Sequence, residues 1–305
     1  MTYLGNFSNI ESRVVRVFIG ASIVSLVALA GCSLTVDADR KQCTTDSDCT
    51  KRGRAFAGSI CVASLCEEAH KAIEAGVEDK TWSCLDAPPV ASTATGPFHV
   101  TMHLTDIVSA MPISGVTANL CRKLDVACTD PQGPSVVSDA TGLVAFDVPA
   151  AFTGYVSLQE GAAIMPGLYF FNPAVNSDLD VPSVQLASPG IASALIKGLG
   201  AKQDANDGIM LLSVVDCTGT NAADVTMSFT QSADASASVS FYSVGGLPNA
   251  TVTMTDTSGY GGAVNVAPGN VAVTAKRSDG RTIGTYSLFV NPGTITYSKL
   301  VPVGQ

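Results

Sequence analysis

The chain has 305 residues, 46 % of them hydrophobic and 14 % charged, with a formal net charge of −9. That apolar content excludes a disordered chain. So acidic a balance excludes nucleic acid as a partner, because phosphate contacts need basic patches. It also opposes anionic lipid headgroups, so membrane attachment has to come from something other than surface charge.

In chain order, residues 1–31 read as an export leader. Arg13 and Arg16 supply a positive n-region, and "VFIGASIVSLVALA" is an apolar h-region too short for a spanning helix of roughly 20 residues. Leu29-Ala30-Gly31-Cys32 then matches the bacterial lipobox, in which the cysteine thiol receives a diacylglyceryl group and becomes the new N-terminus. Nine cysteines are an odd number, and Cys32 is the one set aside for lipid. Each buried acyl methylene contributes about 0.8 kcal/mol, so several chains on one residue hold a protein firmly. Ser33 follows in place of aspartate, which by resemblance to lipoproteins of double-membraned bacteria implies sorting to the outer membrane. Residues 32–42 form a tether whose "SLTVDADRKQ" spans at most about 35 Å.

Residues 43–66 place Cys43, Cys49, Cys61 and Cys66 in a stretch with too few large apolar residues to fold by burial alone. The intervals lack the short C-x₂-C knuckle of zinc sites, so disulfides are expected and no metal. An interlaced pairing, Cys43 with Cys61 and Cys49 with Cys66, is the working expectation, although spacing alone does not fix connectivity. Residues 67–97 read as a linker: "EEAHKAIEAGVEDK" suits a short helical turn, and Trp82 beside Cys84 suits packing over a disulfide.

From Phe98 the pattern becomes strand-like. "FHVTMHLTDIV" puts Phe98, Val100, Met102 and Leu104 on one face and His99, Thr101, His103 and Thr105 on the other. Four residues of strand advance about 13 Å, too far for His99 and His103 to share one ion. The segments 136–158 and 253–275 repeat one line: Asp139 and Asp256 stand three residues before Gly142 and Gly259, followed by alternating strands and a Pro/Gly turn. Locally this reads as a hairpin, with aspartate capping the turn and glycine supplying positive φ. A strand ending in cysteine precedes each, at Cys121 and Cys217. Between the units, Ile191, Leu195, Ile196 and Leu199 share one face of a short amphipathic helix.

The repeat resembles the carboxypeptidase regulatory-like domain, a transthyretin-like (prealbumin-like) β-sandwich. The whole order of lipobox, four-cysteine module, W-x-C-L linker and two β units resembles outer-membrane lipoproteins of myxobacteria. The resemblance implies a mainly β protein with two such sandwiches, residues 98–185 and 207–305, joined by a segment 186–206 that holds the helix. It implies no activity; the zinc-binding H-x-x-E of the metallocarboxypeptidases that carry this domain is absent. Of the remaining cysteines, Cys121 and Cys128 flank "RKLDVA" as a candidate staple. That leaves Cys84 to Cys217.

Catalytic motifs are missing: the chain has no G-x-S-x-G, H-E-x-x-H or P-loop, and only three histidines. "DANDG" (204–208), the acidic pair Asp178/Asp180 and "SGYGG" (258–262) all read as turns or solvated loops. The expectation is a non-enzymatic, lipid-anchored envelope protein without cofactor, binding protein or glycan or acting as a spacer. The alternatives are a carrier of small apolar ligands lined by Phe170, Phe171, Phe241 and Tyr242, and last a divergent hydrolase.

Overall fold

A computed structural model describes residues 43–52, 59–62, 64–68, 81–87, 95–159, 164–231 and 238–302. The leader, Cys32, the tether and His70 lie outside them, as does most of the helical turn expected over 67–80. The chain divides into two compact units, residues 1–74 and 75–305.

The first unit holds the cysteine module. Helix α1 (Asp46–Thr50) is followed by strands β1 (Ser59–Val62) and β2 (Leu65–Glu68), an antiparallel pair. The Asp48 carboxylate accepts from the Thr44 and Thr45 N–H groups and the Thr44 hydroxyl, which fixes the first turn of α1. Those bonds hold its pKa well below the usual carboxylate range, the Thr44 N–H first among them. Disulfides join Cys43 to Cys61 and Cys49 to Cys66, the interlaced arrangement. Cys43 and Cys49 are buried, so the staples take the place of an apolar core.

The second unit is mainly β. Its strands are β3 (Phe98–Asp106), β4 (Thr117–Arg122), β5 (Val136–Val137), β6 (Leu143–Val148), β7 (Gly154–Leu158), β8 (Gly167–Phe170) and β9 (Leu179–Leu186). After helix α2 (Pro189–Gly198) come β10 (Gly208–Val214), β11 (Val225–Gln231), β12 (Val239–Val244), β13 (Leu247–Asn249), β14 (Tyr260–Val266), β15 (Gly269–Arg277), β16 (Thr282–Val290) and β17 (Ile295–Leu300). They form three sheets: β6-β3-β9, β11-β15-β16, and a nine-stranded sheet in the order β13-β12-β14-β10-β17-β8-β7-β4-β5.

These sheets make two sandwiches on one plan. In the first, β3 pairs antiparallel with β6 and parallel with β9, facing a layer of β4, β7 and β8. In the second, β10 pairs antiparallel with β14 and parallel with β17, facing β11, β15 and β16. The nine-stranded sheet arises because the inner layer of the first sandwich joins that of the second, β8 lying parallel to β17. Asn172 pins this joint by donating from Nδ2 to the Ser298 hydroxyl at 2.9 Å.

Both faces of the shared sheet are therefore covered. Val100, Met102 and Leu104 of β3 pack with Leu120, Val156 and Leu158, and the same core takes in Ile209, Ile295 and Tyr297 from the second sandwich. Helix α2 adds Ala192 and Ile196, with Ile191, Leu195 and Leu199 half-buried beside them. Ser188 caps its start by accepting from the Ile191 N–H. On the opposite face Tyr155, Leu168 and Phe170 of the first sandwich join Met210, Leu212, Val273 and Leu288 of the second.

The repeated aspartate–glycine line has a role different from the expected hairpin. The Asp139 carboxylate accepts from the Thr141 N–H and hydroxyl and from the Leu143 N–H; Asp256 does the same with Ser258. The following glycines sit at φ +77° and +70°, and their carbonyls accept from Leu104 and Val214. A Cβ at Gly142 would lie 2.4 Å from the Leu104 carbonyl oxygen, and one at Gly259 would lie 2.6 Å from that of Val214. Behind each turn a buried hydroxyl clips the segment that leads into β4 or β11. Ser138 accepts from Val116 and donates to the Ile113 carbonyl; Thr255 accepts from Val225 and donates to that of Ala222. Because β5 pairs with β4 whereas β6 pairs with β3, the turn carries the chain from one sheet to the facing one. Local Asx chemistry specified the turn but not which strands flank it. For the same reason Cys121 and Cys217 are not equivalent: Cys121 lies within β4, whereas Cys217 follows β10, the counterpart of β3.

Candidate functional site

Two surfaces collect the polar and unusual residues of the second unit. The outward face of the β6-β3-β9 sheet carries His99, Thr101 and His103. His99 Nδ1 lies 3.2 Å from an Asp147 carboxylate oxygen, and the His99 N–H donates to Asp178 at 2.8 Å. Thr101 donates to Asp180 at 2.5 Å, while His103 Nε2 stands 3.9 Å from the same carboxylate. Each histidine thus has its own acid, and the side chains are 41–77 % exposed. Exposed pairs of this kind are screened by water and contribute little to stability. They converge on no common point, as the spacing along one strand predicts.

The second surface is one rim of the nine-stranded sheet. Residues across it align as Cys121, Tyr155, Phe170, Ser298 and Leu212. Strands β4, β8, β17 and β10 run the same way, so their C-terminal ends share this rim. Beyond β10, Cys217 is bonded to Cys84, and its N–H donates to the Thr81 carbonyl. Residues 81–87 thereby become a strap. Trp82 is buried in the core beneath, with the Arg277 guanidinium 5.1 Å from its ring centroid. Arg281 reaches Asp86 of the strap at 3.5 Å.

Beyond β4, the disulfide Cys121–Cys128 closes a short loop. Its Asp125 carboxylate accepts from the Thr129 N–H and hydroxyl and the Asp130 N–H, which lowers its pKa, the Asp130 bond first. The Tyr155 hydroxyl donates to the Asp125 carbonyl, and burial pushes that phenol up to about 12. Asn291 Nδ2 donates to the Val126 carbonyl at 3.4 Å. An open depression of about 350 Å³ adjoins the loop, lined by Arg122, Lys123, Leu124 and residues 149–153.

The four aromatics proposed to line a carrier cavity do not share one. Phe170 and Tyr242 belong to one core and Phe171 and Phe241 to the other, all at most 5 % exposed. Phe170, Tyr155 and Phe289 pack ring to ring with centroids 4.9–5.2 Å apart. The Tyr242 hydroxyl is spent on the Met227 backbone. Among the described residues, the one group of metal-type donors is Cys43, Cys49 and Cys66, whose sulfurs lie within 4.8 Å of one another. Paired in disulfides, they offer no thiolate to an ion. Asp204 and Asp207 close a turn in which Asp204 accepts from Asn206.

Sequence reasoning missed the rim loop and the buried Ser138 and Thr255. It also missed a second repeated signature, Phe170-Phe171-Asn172-Pro173 against Phe289-Val290-Asn291-Pro292, which marks the ends of β8 and β16 and was available in the sequence.

No protein-family model matches the chain, and no curated protein does. Among solved structures, it is similar to the pilus 2b backbone protein of group B streptococcus at 13 % identity and a TM-score of 0.24, covering 30 % of this chain and 41 % of that one. The minor pilin GBS52 of Streptococcus agalactiae overlaps 68 % of this chain and 98 % of its own, at 13 % identity and a TM-score of 0.21. The major pilin subunit BcpA of Bacillus cereus, as its D312A form, overlaps 67 % and 99 %, at 9 % identity and a TM-score of 0.23. At such scores these likenesses carry no argument about what this chain does.

Proposed function

We propose that the chain is a lipid-anchored protein of the outer membrane that holds a stiff, two-sandwich body at the envelope as a non-enzymatic platform for protein or glycan partners. The observation that carries this is the way the chain enters the body. A segment following the expected lipid site at Cys32 is bonded through Cys84 to Cys217, so a pull on the N-terminus acts directly on the second sandwich. The parallel β8–β17 joint keeps the two sandwiches from hinging. Adhesive or spacing roles need that stiffness, whereas catalysis needs converging polar groups, and the exposed His/Asp pairs do not converge. The resemblance to myxobacterial lipoproteins supports the same location. No helix among the described residues is long and apolar enough to cross a membrane, so attachment through lipid is the route this reading uses.

The test is metabolic labelling with a clickable fatty acid, comparing wild type with Cys32→Ala. Label on wild type alone, with the protein in the outer-membrane fraction, supports the reading; equal label on both, or on neither, sinks it. Protease treatment of intact cells then tells which side of the membrane the sandwiches face.

A further inference from the structure

The rim loop presents apolar side chains to solvent with no return inside the fold. Leu124 is 94 % exposed and Val126 46 % exposed. A single exposed leucine is ordinary on a protein surface. This pair stands on a loop fixed by a disulfide, by the Asp125 carboxylate and by the Tyr155 and Asn291 side chains. Such fixation removes the freedom that would let the two side chains fold back onto the protein. Arg122 and Lys123 precede them and line the same depression, and neither makes an ion pair among the described residues.

We propose that this loop docks on a phospholipid surface, with Leu124 and Val126 entering the headgroup–acyl boundary and Arg122 and Lys123 meeting anionic phosphates. Apolar tips flanked by cations suit that boundary, where one end of the contact is dry and the other wet. The strap bonded at Cys84 lies on the same rim, four strands from β4 and so about 19 Å away. The chain therefore enters this unit, at residues 81–87, on the side that carries the loop, and an anchor at Cys32 would tether the unit from that side. Only that last step rests on the proposed function; the loop chemistry does not.

The net charge of −9 opposes approach to anionic lipid. Salt screens that repulsion beyond about 8 Å, so the groups at the contact decide. There Asp125, accepting from Thr129 and Asp130, stays ionised, and with the exposed Asp130 it balances Arg122 and Lys123, so the placement of the two cations beside Leu124 rather than a net positive charge favours the contact.

The test uses the mature chain from Ser33 onward, exported without its lipid-bearing cysteine, so its outcome is independent of lipidation. It is co-sedimented with vesicles of phosphatidylglycerol and phosphatidylethanolamine, and with vesicles of phosphatidylcholine alone. Wild type should partition onto the anionic vesicles, and L124S/V126S should lose roughly ten-fold or more of that partition. R122E/K123E should erase the preference for phosphatidylglycerol, each cation accounting for about five-fold. All four positions are on the surface, so near-UV circular dichroism should be unchanged. Equal partition of wild type and both variants overturns the proposal. So does a wild type that stays in solution with every vesicle, including one that self-associates through the loop instead. Fatty-acid labelling at Cys32 alongside a negative vesicle result would fault the loop and leave the anchor standing.

Discussion

In the first sandwich β3 turns His99, Thr101 and His103 toward water, whereas β10, its counterpart in the second, turns Ile209 and Leu211 into a core. The equivalence is fixed by the matched bonds of Leu104 and Val214 to their turn glycines. One plan has therefore been given opposite outward faces. The cause is the joint between β8 and β17: a strand layer with a neighbour on both faces must be apolar on both, and a layer at the end of the stack need be apolar on one. The far layer of the second sandwich obeys the same rule. Thr226, Ser228, Thr274, Thr285 and Ser287 face outward there, and Thr274 and Thr285 bond each other at 3.1 Å. The end strand β9 also carries Pro182, which has no N–H to offer a further strand. Polar outer faces and a proline-blunted edge suit surfaces that meet water.

The largest effect is expected from Cys84→Ala with Cys217→Ala. Opening a cross-link of sequence separation 133 should cost about 4–5 kcal/mol in urea unfolding. Because the two sandwiches share a sheet, the weakened protein should still unfold in one step; two separated transitions would show that the joint does not couple them.

Next is Ile209→His, which gives β10 the residue that β3 carries. A polar ring forced into a closed core should cost about 3–5 kcal/mol, and a loss under 1 kcal/mol would mean the face is not covered as described. Gly142→Ala and Gly259→Ala should each cost about 2–3 kcal/mol, since each combines positive φ with a close approach to carbonyl oxygen. Matching losses would show that the two turns bear the same strain, and a clear inequality would end that equivalence.

The same turns predict a response to acid. Asp139 and Asp256 have lowered pKa values, chiefly through the Thr141 and Ser258 hydroxyls. Their contribution is present above the unfolded carboxylate value of about 3.9 and is lost as pH falls through the lower folded values. Acid unfolding of D139N/D256N should be less steep below about pH 4 than that of wild type. The smallest effect is expected from His99→Ile, the reverse of the Ile209 exchange. It should change stability by less than about 0.5 kcal/mol, because the position faces water.

Much of this was legible in the residues. The alternation in "FHVTMHLT" gave β3 its inward Val100, Met102 and Leu104, and the apolar spacing from Ile191 to Leu199 gave α2. Unbroken runs such as "GIMLLSVV" and "GLYFF" were the trace of strands covered on both sides, a pattern that separate sandwiches do not require. The rim loop had no such trace, since "RKLDVA" between two cysteines reads the same whether its leucine points in or out.

What the sequence determined by itself is local: the strand alternation, the aspartate–glycine turns, the cysteine supply and the helix cap all act between residues close in the chain. Tertiary structure alone decided that the turns cross between sheets, that β8 meets β17, and that Leu124 stands in solvent beside two cations. Those outcomes depend on which distant strands pair, and strand pairing is chosen by the burial of whole faces across the molecule, a quantity no single segment contains.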